Sequence, residues 1–323
     1  MTVSVRSFAK INLGLRIGAS RPDGFHELLT VYQTIALEDV IKVKSTRGTG
    51  IEISCSHPRV PGDASNTCYR IVEKAMSTLG MERRITIDIE KRLPVQGGLG
   101  GGSANAAATL VALERAMKRS LPWQEKLRLA AEVGSDIPLF LIGGTVLGVG
   151  RGEQVYPLED LPPIACVVVL PEAQISTARA FAEWDRRVAA RDSKLTPARA
   201  SDRMMELGRG LSAWLSENYS GAPGGKRGRA ENPLLELVRA GIKNDFEEVV
   251  FPEYPELREG KLALERAGAK YASLSGSGST LYGLFASKKA AAAAAAKLRR
   301  QGWAAEATVT LTRGQYWRRM FEG

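Results

Sequence analysis

Pro94-Val-Gln-Gly-Gly-Leu-Gly-Gly-Gly-Ser-Ala-Asn105 is the stretch of this 323-residue sequence that says most about its fold. It follows Arg84 to Glu90, in which apolar and polar residues alternate as they do in a half-buried β-strand. The residues from Ser103 to Met117 are rich in helix formers, and their apolar side chains recur at helical spacing. The pattern therefore predicts a glycine-rich loop between a strand and a helix.

A loop of this kind is suited to binding a polyphosphate. Glycine lets the backbone approach a ligand closely, and a helix N-terminus adds unpaired N–H groups and partial positive charge. The loop is not a Walker A motif, because no lysine follows Gly102, and it lacks the GxGxxG spacing of a dinucleotide fold. A tightly packed turn is the alternative for an isolated glycine cluster, but the flanking strand and helix favour a phosphate loop with Ser103 as a further ligand.

A second glycine loop runs from Leu274 to Thr280, between the apolar segments 271–274 and 281–285. By itself it is equally typical of an ordinary hairpin or strand-to-helix turn. Together with the first loop, it is predicted to supply further N–H groups to an anionic ligand.

The composition is that of a folded protein, with 44% hydrophobic and 25% charged residues and a length that allows two domains. The 45 basic residues exceed the 35 acidic ones by ten, so an anionic partner is expected. Eleven basic and six acidic residues lie between Arg179 and Arg229, which places half of this excess in one polar stretch. The stretch is typical of a solvated, mobile insertion, and since no nucleic-acid-binding signature accompanies it, we expect no nucleic-acid partner.

Nothing in the sequence indicates secretion, membrane insertion or a zinc site. The first ten residues lack the pattern of a signal peptide, and the uncharged run from Leu93 to Leu113 is interrupted by glycine and polar residues. Cys55, Cys68 and Cys166 form no CxxC pair, and only two histidines are present. We therefore expect a cytoplasmic protein without membrane contact and without a metal held by its side chains.

The order of the predicted elements favours an α+β fold with two domains. Strands are predicted at Val3 to Ser7 and Ile164 to Leu170, and a helix is predicted after Pro122. The residues from Gly143 to Gly150 form a further apolar segment. Because a proline restricts the residue before it, helix is disfavoured at Ile137. The linker is predicted at Leu158-Glu-Asp-Leu-Pro-Pro163, giving domains of residues 1–158 and 159–323.

Three segments, taken in order, resemble the signature motifs of the GHMP kinase superfamily: Ala9-Lys-Ile-Asn-Leu13, Pro94 to Ala107, and Leu274 to Thr280. The resemblance implies an N-terminal domain like ribosomal protein S5 domain 2 and a ferredoxin-like C-terminal domain. It also implies ATP-dependent phosphorylation of a small-molecule alcohol in the cleft between them.

Further segments resemble one branch of this superfamily, which serves isoprenoid biosynthesis without mevalonate. They are Arg21 to Leu28, Asn66 to Arg70, Gly134 to Phe140 and Asn244 to Glu247. The implied substrate is a cytidine diphosphate-linked methylerythritol, phosphorylated on its 2-hydroxyl. The alternatives are another GHMP kinase, such as homoserine or mevalonate kinase, and a noncatalytic protein that binds nucleotides or nucleic acid.

The resemblance also implies roles for individual residues in catalysis and ATP binding. Asp136 matches the base, and Lys10 matches the residue that stabilises charge beside it. Without the resemblance, Asp136 could simply cap a turn and Lys10 could be a surface charge. The implied ATP-binding residues are Pro94, Val95, Gln96, Gly97, Gly98, Leu99, Gly100, Gly101, Gly102, Ser103, Ala104 and Asn66.

Substrate residues follow from the same resemblance. His26 is expected to recognise the cytosine, with the rings of Phe25, Tyr32 and Phe181 stacking on the base. Asn12 is expected near the transferred phosphate. The full set is Asn12, Phe25, His26, Tyr32, Phe181, Ser275 and Gly276. Magnesium is expected to enter with ATP, held mainly by phosphates and water, because no carboxylate beside the loop marks a metal ligand. The oligomeric state is expected to be a monomer or a homodimer.

Overall fold

The computed structural model describes residues 1–95, 97–191, 205, 208–209 and 242–322. Gln96 lies outside the described residues, as does most of the stretch 192–229 for which mobility is predicted. The described part of the chain mixes strands and helices irregularly, which confirms the α+β class. None of the helices it contains is long and apolar enough to cross a membrane.

The first sheet is built around two long antiparallel strands. Its members are β1 (Thr2–Ser20), β2 (His26–Thr46), β3 (Ile51–Cys55), β4 (Arg84–Glu90), β5 (Thr145–Gly150) and β6 (Gln154–Pro157). Strand β1 extends well beyond the predicted Val3 to Ser7 and pairs with β2 along most of its length, with register shifts near Phe8, Asn12 and Ile17. On its other edge, β2 pairs with β5 through residues 28–33 and with β4 through residues 40–46.

Four helices cover one face of this sheet: α1 (Thr67–Leu79), α2 (Gly101–Met117), α3 (Trp123–Val133) and α4 (Ile137–Ile142). The helix predicted after Pro122 is α3. The expectation that helix is disfavoured at Ile137 was wrong, because α4 begins there. Pro138 lies in the first turn of α4, where a helix needs no backbone N–H donor.

The second sheet is antiparallel, in the order β10–β7–β9–β8. Its strands are β7 (Ala165–Val169), β8 (Tyr271–Leu274), β9 (Leu281–Phe285) and β10 (Ala305–Val309). Its helices are α5 (Thr177–Arg191), α6 (Glu247–Glu253), α7 (Pro255–Arg266) and α8 (Lys288–Arg300). Ser287 caps α8, because its hydroxyl oxygen accepts a hydrogen bond from the N–H of Ala290.

The two sheets are joined by a shared apolar core. Ile11 and Leu13 of β1 pack there with Cys166 and Val168 of β7 and with Tyr282 of β9. Since successive side chains of a strand point to opposite faces, β7 is buried on both sides and reads as a continuous apolar run. The same alternation directs Lys10 and Asn12 to the face of β1 opposite Ile11 and Leu13.

We propose that the two domains are residues 1–158 and 159–323, as the paired prolines predict. No helix or strand lies between β6 and β7, the described segment that contains these prolines. The last helix, α9 (Arg313–Met320), crosses back to the first domain. Tyr316 of α9 packs in the core of that domain, and its hydroxyl donates to the carbonyl of Phe140.

Asn244 braces the second glycine loop from within the protein. Its side-chain amide donates to the carbonyls of Leu274 and Gly276, both at 2.8 Å, and its side-chain oxygen accepts from the N–H of Phe246 at 3.0 Å. The neighbouring Asp245 accepts the N–H of Ile17 on β1 at 3.0 Å. The segment that holds the loop is therefore also attached to the first sheet.

Replacing Asn244 with aspartate is expected to destabilise the protein. The carboxylate has the shape of the amide but cannot donate, so two buried carbonyls lose their partner and face a negative charge. We expect the free energy of unfolding, measured by chemical denaturation, to fall by about 3 kcal/mol.

The matched control is Gln124→Glu, which makes the same amide-to-acid change at an exposed position of α3. It should change the free energy of unfolding by less than about 0.5 kcal/mol. Equal effects of the two substitutions would show that added charge, and not the lost brace, causes the destabilisation.

Candidate active site

The two glycine loops contact each other directly. The carbonyl of Gly97 accepts from the N–H of Thr280 at 3.0 Å, and the carbonyl of Gly98 accepts from the Ser275 hydroxyl at 2.9 Å. Gly98 has φ +78°, and a β-carbon there would lie 2.2 Å from the Ser275 carbonyl oxygen. Only glycine therefore permits this approach.

The first loop ends at the N-terminus of α2, which no side chain caps. Gly100 is the N-cap residue, with φ 70°, and its carbonyl accepts the N–H of Ala104 at 2.8 Å. The N–H groups of the first turn have no partner within the helix. They lie at the edge of a cleft of about 560 Å³, lined by Gly100, Gly101, Gly102 and Ser103 among others. This edge can bind an anion.

Lys10 is buried beside this helix end, with 3% of its surface exposed. Its ammonium donates to Asn12 Oδ1 at 2.7 Å and lies 3.5 Å from Asp136 Oδ2. Its backbone N–H donates to the carbonyl of Leu99 at 3.0 Å, which ties β1 to the first glycine loop. Asn12 is held in turn by its amide, which donates to the Thr30 hydroxyl at 2.8 Å. Lys10 is thus not a surface charge.

Asp136 immediately precedes α4, and its side chain is about one-third exposed to the cleft. It makes no capping hydrogen bond to the helix, so its carboxylate is not used as a cap. Instead, Asp136 Oδ1 accepts from the Tyr32 hydroxyl at 3.1 Å, while Oδ2 faces Lys10. The carboxylate is therefore held between a phenol and an ammonium.

Burial governs the ionisation of these two neighbours. Desolvation lowers the pKa of Lys10 below its ordinary value, and the negative charge of Asp136 partly opposes this effect. Desolvation also raises the pKa of Tyr32, and Asp136 reinforces the rise because a second anion beside it is unfavourable. Tyr32 consequently remains a hydrogen-bond donor over the whole physiological pH range.

His26, at the start of β2, lies at the other end of the cleft. Its ring stacks on Phe181 of α5, with centroids 4.8 Å apart and planes inclined by 10°. Its Nε2 lies 2.7 Å from Asp185 Oδ1 and 3.2 Å from the Ser20 hydroxyl. An ionised carboxylate can only accept hydrogen bonds, so Nε2 must be the donor in this contact. The contact therefore favours the tautomer with hydrogen on Nε2 and leaves Nδ1 as an acceptor.

Phe25 borders the same end of the cleft and is about half exposed. The guanidinium of Arg151 lies over its ring, 4.9 Å from the centroid. Phe25, His26 and Phe181 thus form an aromatic region suited to a flat base. Tyr32, grouped with them from the sequence, lies instead with the Lys10 and Asp136 pair.

Asn66 is the N-cap of α1. Its side-chain oxygen accepts from the N–H of Cys68 at 2.9 Å, and its amide donates to the carbonyl of Pro61 at 2.7 Å. It also borders the cleft, beside Val60 and Thr67.

Most residues singled out from the sequence line this one cleft. They are Lys10, Asn12, Phe25, His26, Tyr32, Asn66, Pro94, Val95, Gly97, Gly98, Gly100, Gly101, Gly102, Ser103, Asp136, Phe181 and Gly276. Three do not line it: Leu99 and Ala104 are packed in apolar cores, and the fully buried Ser275 holds the two loops together.

Three further cations that sequence reasoning did not select line the cleft: Arg59, Lys91 and Arg151. Lys91 comes three residues before Pro94, and Arg151 directly follows β5, so each could have been found from its position beside a glycine-rich segment. Among the described residues, no group of three His, Cys, Asp or Glu side chains is placed to hold a metal ion.

Comparisons with known proteins identify the family of the chain. Residues 66–144 match the family model of the GHMP kinases N terminal domain, and residues 230–304 match that of the GHMP kinases C terminal. A 4-diphosphocytidyl-2-C-methyl-D-erythritol kinase from Solibacter usitatus is 38% identical over 289 residues, 88% of this chain and 82% of the relative. One from a Synechococcus species is 40% identical over 294 residues, 91% of this chain and 88% of the relative.

Solved structures give the same result for the fold. A crystal structure of 4-(cytidine 5'-diphospho)-2C-methyl-D-erythritol kinase superposes with a TM-score of 0.72 at 28% identity, covering 95% of this chain and 99% of the other. A homoserine kinase from Cytophaga hutchinsonii superposes with a TM-score of 0.71 at 20% identity, covering 96% of this chain and 95% of the other. At that identity, the second likeness concerns the fold alone.

The chain is thus a GHMP kinase, a small-molecule phosphotransferase with the two-domain fold expected from its three motifs. Within this superfamily, it belongs to the 4-diphosphocytidyl-2-C-methyl-D-erythritol kinase family.

The substitution Tyr32→Phe tests whether the phenol orients Asp136. It removes one hydroxyl and its hydrogen bond to a charged group, so we expect kcat to fall about tenfold. The KM for ATP should stay within about twofold, because Tyr32 lies away from the glycine loops. Steady-state kinetics measure both.

Tyr316→Phe serves as the control, since it deletes another buried hydroxyl, one that donates to a backbone carbonyl. It should lower the melting temperature and leave kcat unchanged. If Tyr32→Phe behaved in the same way, the phenol would have a packing role only.

Proposed function

We propose that this protein transfers the γ-phosphate of ATP to the 2-hydroxyl of 4-diphosphocytidyl-2-C-methyl-D-erythritol, a step of isoprenoid biosynthesis without mevalonate. The observation that carries this proposal is the pairing of Lys10 with Asp136, 3.5 Å apart beside the uncapped start of α2. Relatives between 32% and 40% identical carry the name of this activity over about nine-tenths of the chain.

In this proposal, the first glycine loop binds the triphosphate of ATP. The N–H groups at the start of α2 would donate to phosphate oxygens, and Lys91 would add positive charge at the same edge. Asn66 and the apolar residues around it would border the adenine. Magnesium would enter with ATP and supply charge neutralisation, held mainly by phosphates and water.

The transfer requires little covalent chemistry from the protein. Asp136 would accept the proton of the 2-hydroxyl as the hydroxyl oxygen bonds to the γ-phosphorus. The bond between the γ-phosphorus and the bridging oxygen would break at the same time, and that oxygen would leave with ADP. Lys10 would stabilise the negative charge on the moving phosphoryl group, with Asn12 fixing its ammonium. Tyr32 would hold the carboxylate in position.

The cytidine end of the substrate would bind at the aromatic region of Phe25, His26 and Phe181. Nδ1 of His26 is an acceptor in the tautomer that Asp185 favours, so it would accept a hydrogen bond from the amino group of cytosine. The guanidinium of Arg151 lies over the Phe25 ring, and it would bind the diphosphate of the substrate. We further propose that the enzyme acts in the cytoplasm as a monomer or homodimer, without a nucleic-acid or membrane partner.

A coupled assay of ADP release tests the proposal directly. With purified protein and ATP, 4-diphosphocytidyl-2-C-methyl-D-erythritol should be phosphorylated, while homoserine and mevalonate should give no ADP above background. Asp136→Asn should lower kcat at least about a hundredfold, because the amide cannot accept the proton. Its KM for ATP should change little.

Turnover of homoserine or mevalonate in place of the cytidine compound would assign another GHMP kinase activity. ATP binding with no turnover of any of the three alcohols would favour a noncatalytic protein. Full activity of a folded Asp136→Asn variant would remove the proposed base.

A further inference from the structure

Asp39, on β2, is a buried carboxylate that the proposed mechanism does not use. Its surface is fully buried, and four donors surround it. Oδ1 accepts from the backbone N–H groups of Arg92 and Leu93, both at 2.7 Å. Oδ2 accepts from the ammonium of Lys91 at 2.6 Å and from the side-chain amide of Asn105 at 2.9 Å. A carboxylate has about four acceptor positions, so this one is saturated.

These donors come from the two ends of the first glycine loop. Residues 91–93 immediately precede Pro94, and Asn105 lies in the second turn of α2, just after Ala104. One side chain outside the loop therefore binds the chain where the loop begins and where it ends. Fixing both ends restricts the conformations that the glycines between them would otherwise sample.

Lys91 connects this arrangement to the cleft. The Lys91 side chain is almost fully buried and pairs with Asp39, yet the residue lines the cleft. Its Nζ lies 3.2 Å from the position that a β-carbon on Gly101 would take. Asp39 thus holds a positive charge against the first turn of α2, where the anion would bind.

The energetics favour a positioning role over a simple gain in stability. Burying an ion pair costs desolvation that its attraction often only offsets, so such a pair is weak evidence for stability. It does, however, impose one geometry, because each of the four donors must reach its own oxygen position.

We propose that Asp39 is a positioning residue for ATP binding. It joins both ends of the phosphate loop and orients Lys91, so that the N–H groups and the ammonium converge on the triphosphate. The inference rests on the proposed function of the loop as the ATP site.

Asp39→Asn is the primary test, because one oxygen remains for Arg92 and Leu93 while an NH₂ group replaces the acceptor of Lys91 and Asn105. We expect the KM for ATP, and the Kd of a nonhydrolysable ATP analogue measured by calorimetry, to rise about tenfold. The change in kcat should stay within about threefold, since Lys10 and Asp136 are untouched. The control Asp88→Asn, the same change at a β4 carboxylate that does not line the cleft, should leave both values unaltered.

The double variant Asp39→Asn, Asn105→Asp exchanges the two groups and restores one carboxylate and one amide at the contact. It should recover part of the lost ATP affinity, which a role in stability alone does not predict. Should Asp39→Asn fail to fold, Asn105→Ala decides the matter. This variant removes only the hydrogen bond that attaches Asp39 to α2, and the Kd of the analogue should rise about threefold.

An ATP affinity within twofold of the original protein in folded Asp39→Asn would overturn the inference, as would unchanged affinity in Asn105→Ala where the first variant does not fold. Failure of the loop as the ATP site gives a different result, because the unmodified protein would then not bind the analogue.

Discussion

The close approach of the two glycine loops is the constraint on which the rest of the site depends. Gly98 lies so near the Ser275 carbonyl that a β-carbon cannot be accommodated, and the loops are then joined by hydrogen bonds from Thr280 and the Ser275 hydroxyl. This contact crosses between the two domains, so it sets where the start of α2 lies relative to Gly276. The start of α2 and Gly276, which both line the cleft, are therefore positioned by this close approach.

Strand β1 then brings Lys10 and Asn12 to the cleft. Strand β1 is held on one face by the core shared between the sheets, and alternation along the strand leaves Lys10 and Asn12 on the other face. Because Lys10 is desolvated, water screens little of the interaction between its charge and nearby groups. Asp136, Tyr32 and Asn12 form the polar surroundings that make this burial tolerable.

Much of this arrangement was predictable from the sequence, because glycine spacing and residue alternation are local signals. The loop between β4 and α2 followed from such patterns, while the family resemblance supplied Lys10, Asp136 and His26. Long-range contacts were not accessible in the same way. Tyr32 was grouped with the base-stacking rings, yet its hydroxyl contacts Asp136, 104 residues away in sequence. Asp39 gave no local signal, because its donors lie more than fifty residues further along the chain.

The most direct measurement is a crystal structure of the protein with a nonhydrolysable ATP analogue and 4-diphosphocytidyl-2-C-methyl-D-erythritol bound together. The account predicts that the γ-phosphate lies against the N–H groups of residues 100–103. It also predicts that the 2-hydroxyl lies within about 3.5 Å of the Asp136 carboxylate, with Lys10 facing the phosphate. A triphosphate bound away from the start of α2, or a 2-hydroxyl directed away from both Lys10 and Asp136, would contradict it.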